Sequence, residues 1–112
     1  MKLGEKQELF SRCLAALLNY AHANGYQVRM GQVERSKEEA QRLADAGKGI
    51  ATSLHTQRLA ADLYLFRDGK YLTKTADYAP LGAFWESLHP LAAWGGSFND
   101  GNHFSIMHGG RK

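Results

Sequence analysis

The spacing of apolar and polar residues in the first third of the chain predicts a helix followed by a short strand. Between residues 10 and 21, apolar side chains recur at intervals of three and four, which places them on one face of a helix that ends near Asn24 and Gly25. Residues 26–30 then alternate between apolar and polar, which is typical of a half-buried strand.

A second helix is predicted to begin just after Arg35. Ser36 is followed three residues later by Glu39, which together form a capping box at the start of a helix. Good helix formers follow as far as Gly47, and glycine is the residue expected just past the end of a helix. The segment 48–53 is then predicted to be a loop.

The second half of the chain adds a hairpin, a third helix and a final strand. The apolar run 59–66 favours a strand, and it stops at the turn sequence 67–70, which leads into a short strand of residues 70–72. Apolar residues share one helical face between about 77 and 88, and residues 103–107 favour another strand. Together these elements predict an α+β fold with a small antiparallel sheet and about three helices.

Length and composition indicate one domain. A chain of 112 residues can bury a single core, and its 44% hydrophobic and 22% charged residues are ordinary for a globular protein. We therefore expect residues 1–112 to form one domain, with a frayed tail over about 108–112. Cys13 is the single cysteine and lies within the first apolar helix pattern, so we expect a buried, inert thiol.

Charge and hydropathy exclude several classes of partner. The formal net charge is +3, but the basic residues are scattered along the chain, which favours a solvated basic surface over a nucleic-acid site. No apolar stretch approaches the roughly 20 residues needed to cross a bilayer, and the first ten residues lack the pattern of a signal peptide. We expect a monomer that is made in the cytoplasm without its own export signal and does not insert into membranes.

The first candidate for chemistry is the pair His55 and Asp62, which lie seven residues apart where a loop meets the apolar strand. Strand positions an odd number apart face opposite sides, so both side chains reach one ion only if the chain bends back at His55. The aspartate is the more informative residue, because a buried carboxylate is costly without a cation or several hydrogen-bond donors.

The second candidate is the pair Asp100 and His103 just before the last strand. A hydrolytic zinc site uses three protein ligands and leaves the fourth position for water, so two histidines and Asp62 would supply one set. Asp100 is then the nearest carboxylate that could take the proton of a metal-bound water. By spacing alone, each histidine is more often a surface or capping residue, and Asp100 is equally suited to a turn.

Two sequence motifs resemble a known family. Residues 53–62 match the pattern Ser-x-His-x-x-x-x-Ala-x-Asp of the zinc D-Ala-D-Ala carboxypeptidase and dipeptidase family, which also contains L-alanyl-D-glutamate peptidase endolysins of bacteriophages. The family's second motif is an acidic residue, two others, a histidine and an aromatic, and a Trp-Gly-Gly element commonly precedes it. Residues 100–104 match the motif, and residues 94–96 match the preceding element. Arg35 and Ser36 resemble the family's Arg-Ser or Arg-Thr element.

The resemblance implies a role for each matched residue. His55, Asp62 and His103 would hold one Zn²⁺ per chain. Asp100 would be the general base, and Arg35 would stabilise the oxyanion beside the metal. Three further residues are candidates for substrate binding or for shaping the site: Ser53, Trp94 and Phe98. For the two aromatic residues, packing in the core is an equal alternative.

The resemblance also implies a hedgehog-like or D-Ala-D-Ala-peptidase-like fold and a function. The expected activity is cleavage of the peptide stem of bacterial peptidoglycan, at an L-Ala-D-Glu bond first and a D-Ala-D-Ala bond second. A phage-type enzyme would act on the wall after a partner protein opens the inner membrane. The alternative is a catalytically silent, zinc-stabilised binding module, which has no need of Asp100. Many family members carry glycine in place of Arg58, so we expect a differently shaped turn between His55 and Asp62.

Overall fold

A computed structural model describes residues 1–47 and 53–112, so most of the predicted loop 48–53 lies outside the described residues. The helices within them are α1 (Leu3–Ala23), α2 (Lys37–Asp45) and α3 (Ala79–Leu88). The strands are β1 (Gln27–Met30), β2 (Ala60–Arg67), β3 (Lys70–Tyr71), β4 (Ala92–Trp94) and β5 (His103–Ile106). The α+β class with an antiparallel sheet and three helices is therefore confirmed.

The sheet is antiparallel and has the strand order β1-β2-β5-β4. The short β3 lies outside this order and pairs with β2, to which the hairpin turn joins it. The outer half of β2 pairs with β1, and its first three residues pair with β5. In that second pairing Asp62 lies directly opposite His103. The sheet therefore brings together two residues that are 41 positions apart in the sequence.

The two faces of β2 and β5 differ because side chains alternate along a strand. Leu63, Leu65, Phe104 and Ile106 are fully buried in the core with α1 and α3. The indole of Trp85 on α3 contacts this core and donates a hydrogen bond to the carbonyl of Ser105 at 3.0 Å. Asp62 and His103 alternate with these core residues, so they lie on the other face of the sheet.

The local signals for α1, α2 and the hairpin are confirmed. Ser36 accepts a hydrogen bond from the backbone N–H of Glu39, although the Glu39 carboxylate pairs with Arg42 instead of completing the capping box. Asp68 and Gly69 both have positive φ, as a two-residue hairpin turn requires. Among the described helices, none combines the length and the apolar character needed to span a membrane.

Residues 108–112, expected to fray, fold into a turn. His108 and Arg111 exchange two backbone hydrogen bonds, of 3.2 and 2.9 Å. Gly109 and Gly110 between them have φ values of +56° and +76°, which glycine adopts without steric cost. The side chain of Lys6 on α1 also lies 3.0 Å from the His108 ring. These contacts hold the segment, which we call the 108–112 turn, against the domain.

Candidate metal centre

The structure brings the three predicted ligands, His55, Asp62 and His103, to one place. One nitrogen or oxygen atom of each lies within 4.8 Å of the others. An oxygen of Asp62 is 3.4 Å from Nε2 of His55 and 3.7 Å from Nδ1 of His103. Tetrahedral ligands about 2.1 Å from a zinc ion lie about 3.4 Å from one another. The donor types and their spacing therefore fit zinc.

A tight turn carries His55 back to the face of Asp62. His55 lies in the 3-10 turn Leu54–Gln57, where the hydroxyl of Ser53 accepts a hydrogen bond from the His55 backbone N–H at 3.2 Å. Arg58 then adopts a left-handed conformation with φ of 58°, which reverses the chain direction into β2. This is the bend that the seven-residue spacing requires, and the hydrogen bond to the Ser53 hydroxyl helps to hold it.

Arg58 occupies a backbone conformation that favours glycine. Left-handed φ costs a residue with a side chain about 1–2 kcal/mol, a cost that glycine does not have. The turn thus has the shape that glycine favours, and arginine adopts it under strain. The Arg58 guanidinium pairs with Glu34 at 3.2 Å, but both side chains are exposed and such pairs contribute little.

We predict that the Arg58→Gly variant is more stable than the Arg58→Ala variant by about 1 kcal/mol. Both substitutions remove the pair with Glu34, and only glycine relieves the left-handed strain. Urea unfolding of the two variants measures the difference in the free energy of unfolding. Equal stabilities would show that the turn is not strained at this residue, and Glu34→Ala measures the ion pair separately.

The 108–112 turn contacts the ring of His103. The Nε2 atom of His103 lies 3.2 Å from the backbone carbonyl of Lys112. Because a carbonyl can only accept, this contact requires the hydrogen on Nε2 and leaves the lone pair of Nδ1 directed to the site near Asp62. A second hydrogen bond of this kind, from the ring nitrogen that does not bind metal, is usual for histidine ligands.

Asp62 is held in its ionised form. Burial by itself would raise the pKa of its carboxyl, but the adjacent rings of His103 and His55 outweigh burial and lower the pKa well below its usual value. Asp62 therefore presents a carboxylate, the form that binds cations.

Asp100 lies at the same cleft, with its position set by a tight loop. Its backbone N–H donates to the carbonyl of Gly95 at 2.9 Å, and its own carbonyl accepts from His103 N–H at 3.1 Å. A methyl group at Gly95 would collide with the Asp100 carbonyl, so the loop closes only with glycine there. Desolvation raises the pKa of the Asp100 carboxyl above its usual value, against the lowering effect of the nearby His103 ring.

Arg35 forms a backbone hydrogen bond to a site residue, and its positive charge acts on the site electrostatically. Its backbone N–H donates to the carbonyl of His55 at 2.9 Å, and its Nε donates to the side chain of Gln32 at 2.9 Å. Arg35 lines the same cleft as Asp100, whose pKa its positive charge lowers slightly against the dominant effect of desolvation. The predicted cation is therefore within the cleft that contains the metal-ligand group.

One cleft of about 440 Å³ is lined by every predicted site residue except Trp94. Phe98 is 46% exposed and its ring lies 5.6 Å from that of His103, so it forms part of the cleft wall. Trp94 instead packs over Gly82 and Gly96, and its indole donates to the carbonyl of Gly101 at 2.6 Å. Of the two aromatics considered for substrate binding, the structure places only Phe98 in the cleft.

Three residues that sequence reasoning missed also line the cleft: the apolar Leu54 and the two cations Arg111 and Lys112, which share one segment. The segment that contains the two cations was expected to fray. The signal that could have found them is the Gly109-Gly110 pair, since two glycines between potential strand residues favour a two-residue turn.

Comparison with known proteins adds a structural relative. No sequence-family model matches the chain, and no curated protein matches its sequence. Among solved structures, the chain is similar to the L-Ala D-Glu endopeptidase ChiX of Serratia marcescens, with a TM-score of 0.73 and 20% sequence identity. The similarity covers 88% of this chain and 77% of that one. The chain therefore has the fold of a peptidase of this kind.

Proposed function

We propose that this protein is a zinc peptidase that cleaves the peptide stem of bacterial peptidoglycan at the bond between L-Ala and D-Glu. The observation that carries the proposal is the His55, Asp62 and His103 group, spaced as zinc requires, in a cleft that also contains Asp100. The fold shared with an L-Ala D-Glu endopeptidase supports the choice of bond. The motifs at residues 53–62 and 94–104 support the same family.

Each residue of the cleft has a separate role in the proposed hydrolysis. A zinc ion held by His55, Asp62 and His103 would supply Lewis acidity and lower the pKa of the attacking water. Asp100 accepts a proton from that water and returns it to the departing amine of D-Glu. Arg35 stabilises the negative charge that develops on the carbonyl oxygen. Phe98 contributes an apolar wall beside the reacting groups.

The proposal extends to where the protein acts. Its substrate lies in the cell wall, and the motifs shared with phage endolysins suggest that it reaches the wall after a partner protein opens the inner membrane. On this proposal the protein acts as a monomer with one Zn²⁺ per chain, and neither nucleic acid nor a membrane is its partner.

Mass spectrometry of purified peptidoglycan, incubated with the protein with and without a zinc chelator, tests the proposal. We expect released peptides that begin with D-Glu, glycan-linked L-Ala with a free carboxyl group, and no such products with chelator. Release of D-alanine instead would assign the protein to D-Ala-D-Ala cleavage. Absence of any cleavage by the zinc-loaded protein would favour a binding module.

We predict that Arg35→Ala lowers kcat by roughly 100-fold, because the developing oxyanion loses a charged donor. Zinc content stays at the wild-type level, since Arg35 is not one of the candidate ligands. Arg29→Ala is a matched control, because its guanidinium lies over the Phe66 ring and does not line the cleft. Steady-state kinetics and metal analysis of both variants measure the effect. An unchanged kcat in Arg35→Ala would remove Arg35 from the mechanism.

A further inference from the structure

Cationic side chains outnumber carboxylate side chains in the cleft around the candidate metal ligands. Three cations line it, Arg35, Arg111 and Lys112, against two carboxylates, Asp62 and Asp100. None of the ion pairs in residues 1–47 and 53–112 involves any of the three cations. A divalent ion on the ligand group would add two further charges. Clefts of one sign attract ligands of the opposite sign, so this cleft favours an anionic substrate.

Hydrogen bonds fix the backbone of Arg111, and its neighbour Lys112 is also held in place. The Arg111 backbone exchanges two hydrogen bonds with His108, and the carbonyl of Lys112 lies 3.2 Å from Nε2 of His103. The 108–112 turn is therefore attached directly to a candidate metal ligand. A cation whose main chain is held before binding loses less entropy when a ligand arrives, which strengthens recognition.

The chemistry of the proposed bond supplies a matching anion. In the peptide stem, D-Glu is linked onward through its side chain, so the carbon that carries the scissile nitrogen also carries a free α-carboxylate. That carboxylate must lie close to the reacting centre when the bond is cleaved. A planar guanidinium binds carboxylates through two parallel hydrogen bonds, which a lysine ammonium does not offer.

We propose that Arg111, held by the 108–112 turn, binds the α-carboxylate of D-Glu and makes the enzyme selective for stem peptides in which this group is free. The inference rests on the proposed function and adds a specificity-determining residue to it. Arg111 would determine which substrates are preferred. Hydrolysis itself would depend on His55, Asp62, His103 and Asp100.

Two synthetic substrates test the inference, L-Ala-D-Glu stem peptides with the D-Glu α-carboxylate either free or amidated. We expect the wild-type enzyme to prefer the free acid at least tenfold in kcat/KM, with most of the difference in KM. Arg111→Ala should bring the ratio close to one, and Arg111→Glu should reverse it. Arg12→Ala, which removes an exposed cation on α1 that does not line the cleft, should keep the wild-type ratio.

The outcomes separate this inference from the proposed function. If the wild-type enzyme cleaves the peptides but Arg111→Ala keeps its preference, Arg111 is not the carboxylate site, and the peptidase assignment stands. If the wild-type enzyme, with one zinc bound, cleaves neither peptide, both the proposed function and this inference fail. Zinc content and thermal unfolding of Arg111→Ala check that the substitution has not displaced the turn from His103.

Discussion

Asp100→Asn is expected to bind one zinc per chain and to lose hydrolysis by roughly 100- to 10,000-fold in kcat. The amide keeps the size of the side chain but cannot accept the proton of the attacking water. Asp100 is not one of the three residues whose ligand atoms cluster, so metal binding should persist. Metal analysis and steady-state kinetics on the same preparation measure the two effects together.

Asp68→Asn is the matched control for this substitution, because it removes one carboxylate at the hairpin turn, away from the cleft. Its kinetics should match those of the wild-type enzyme. In the wild-type enzyme, activity should fall as the pH drops through the pKa of the Asp100 carboxyl, because the protonated acid cannot accept a proton from water. Full activity in Asp100→Asn would exclude Asp100 as the base and leave the binding module or another base to be considered.

His103→Ala is expected to lose zinc and the stability that zinc confers. A ligand present at about 1,000 times its Kd stabilises a folded protein by about 4 kcal/mol, so chelation should lower the melting temperature of the wild-type protein markedly. In His103→Ala the affinity should fall by roughly 100-fold or more, and chelator should then change the melting temperature little. Thermal unfolding with and without chelator, combined with zinc titration, measures both quantities.

His22→Ala serves as the control, since His22 is exposed near the end of α1 and lies outside the candidate ligand group. It should bind zinc and unfold as the wild-type protein does. Wild-type zinc affinity in His103→Ala would exclude the proposed ligand set, even if activity were lost for another reason.

Local physical rules account for the parts of the fold that the sequence predicted. The apolar period of α1, the Ser36 cap of α2 and the Asp68-Gly69 turn each depend on residues a few positions apart. Such interactions are the same in almost any surrounding structure, so they can be predicted before the fold is known. Strand β4 was missed because three residues, Ala92–Trp94, carry no period of their own. Its hydrogen bonds come from β5.

The candidate site, like the fold, was predicted in part from the sequence and decided in part by the tertiary structure. The sequence motifs named His55, Asp62, His103 and Asp100, but their spacing left each with an ordinary alternative. The pairing of β2 with β5 and the left-handed turn at Arg58 are what place the ligand atoms together. The strand pairing depends on contacts between distant parts of the chain, which no local pattern contains. The turn depends on a left-handed conformation that a residue with a side chain, such as Arg58, does not favour.

Sequence alone therefore determined most of the elements, the fold class and, through the family resemblance, the identity of the candidate ligands. The tertiary structure decided that Phe98 lines the cleft while Trp94 packs against glycines, and that the 108–112 turn reaches His103. The reason is physical. Periodicity and turn chemistry act over a few residues, whereas the position of a side chain in a cleft depends on how separate elements pack.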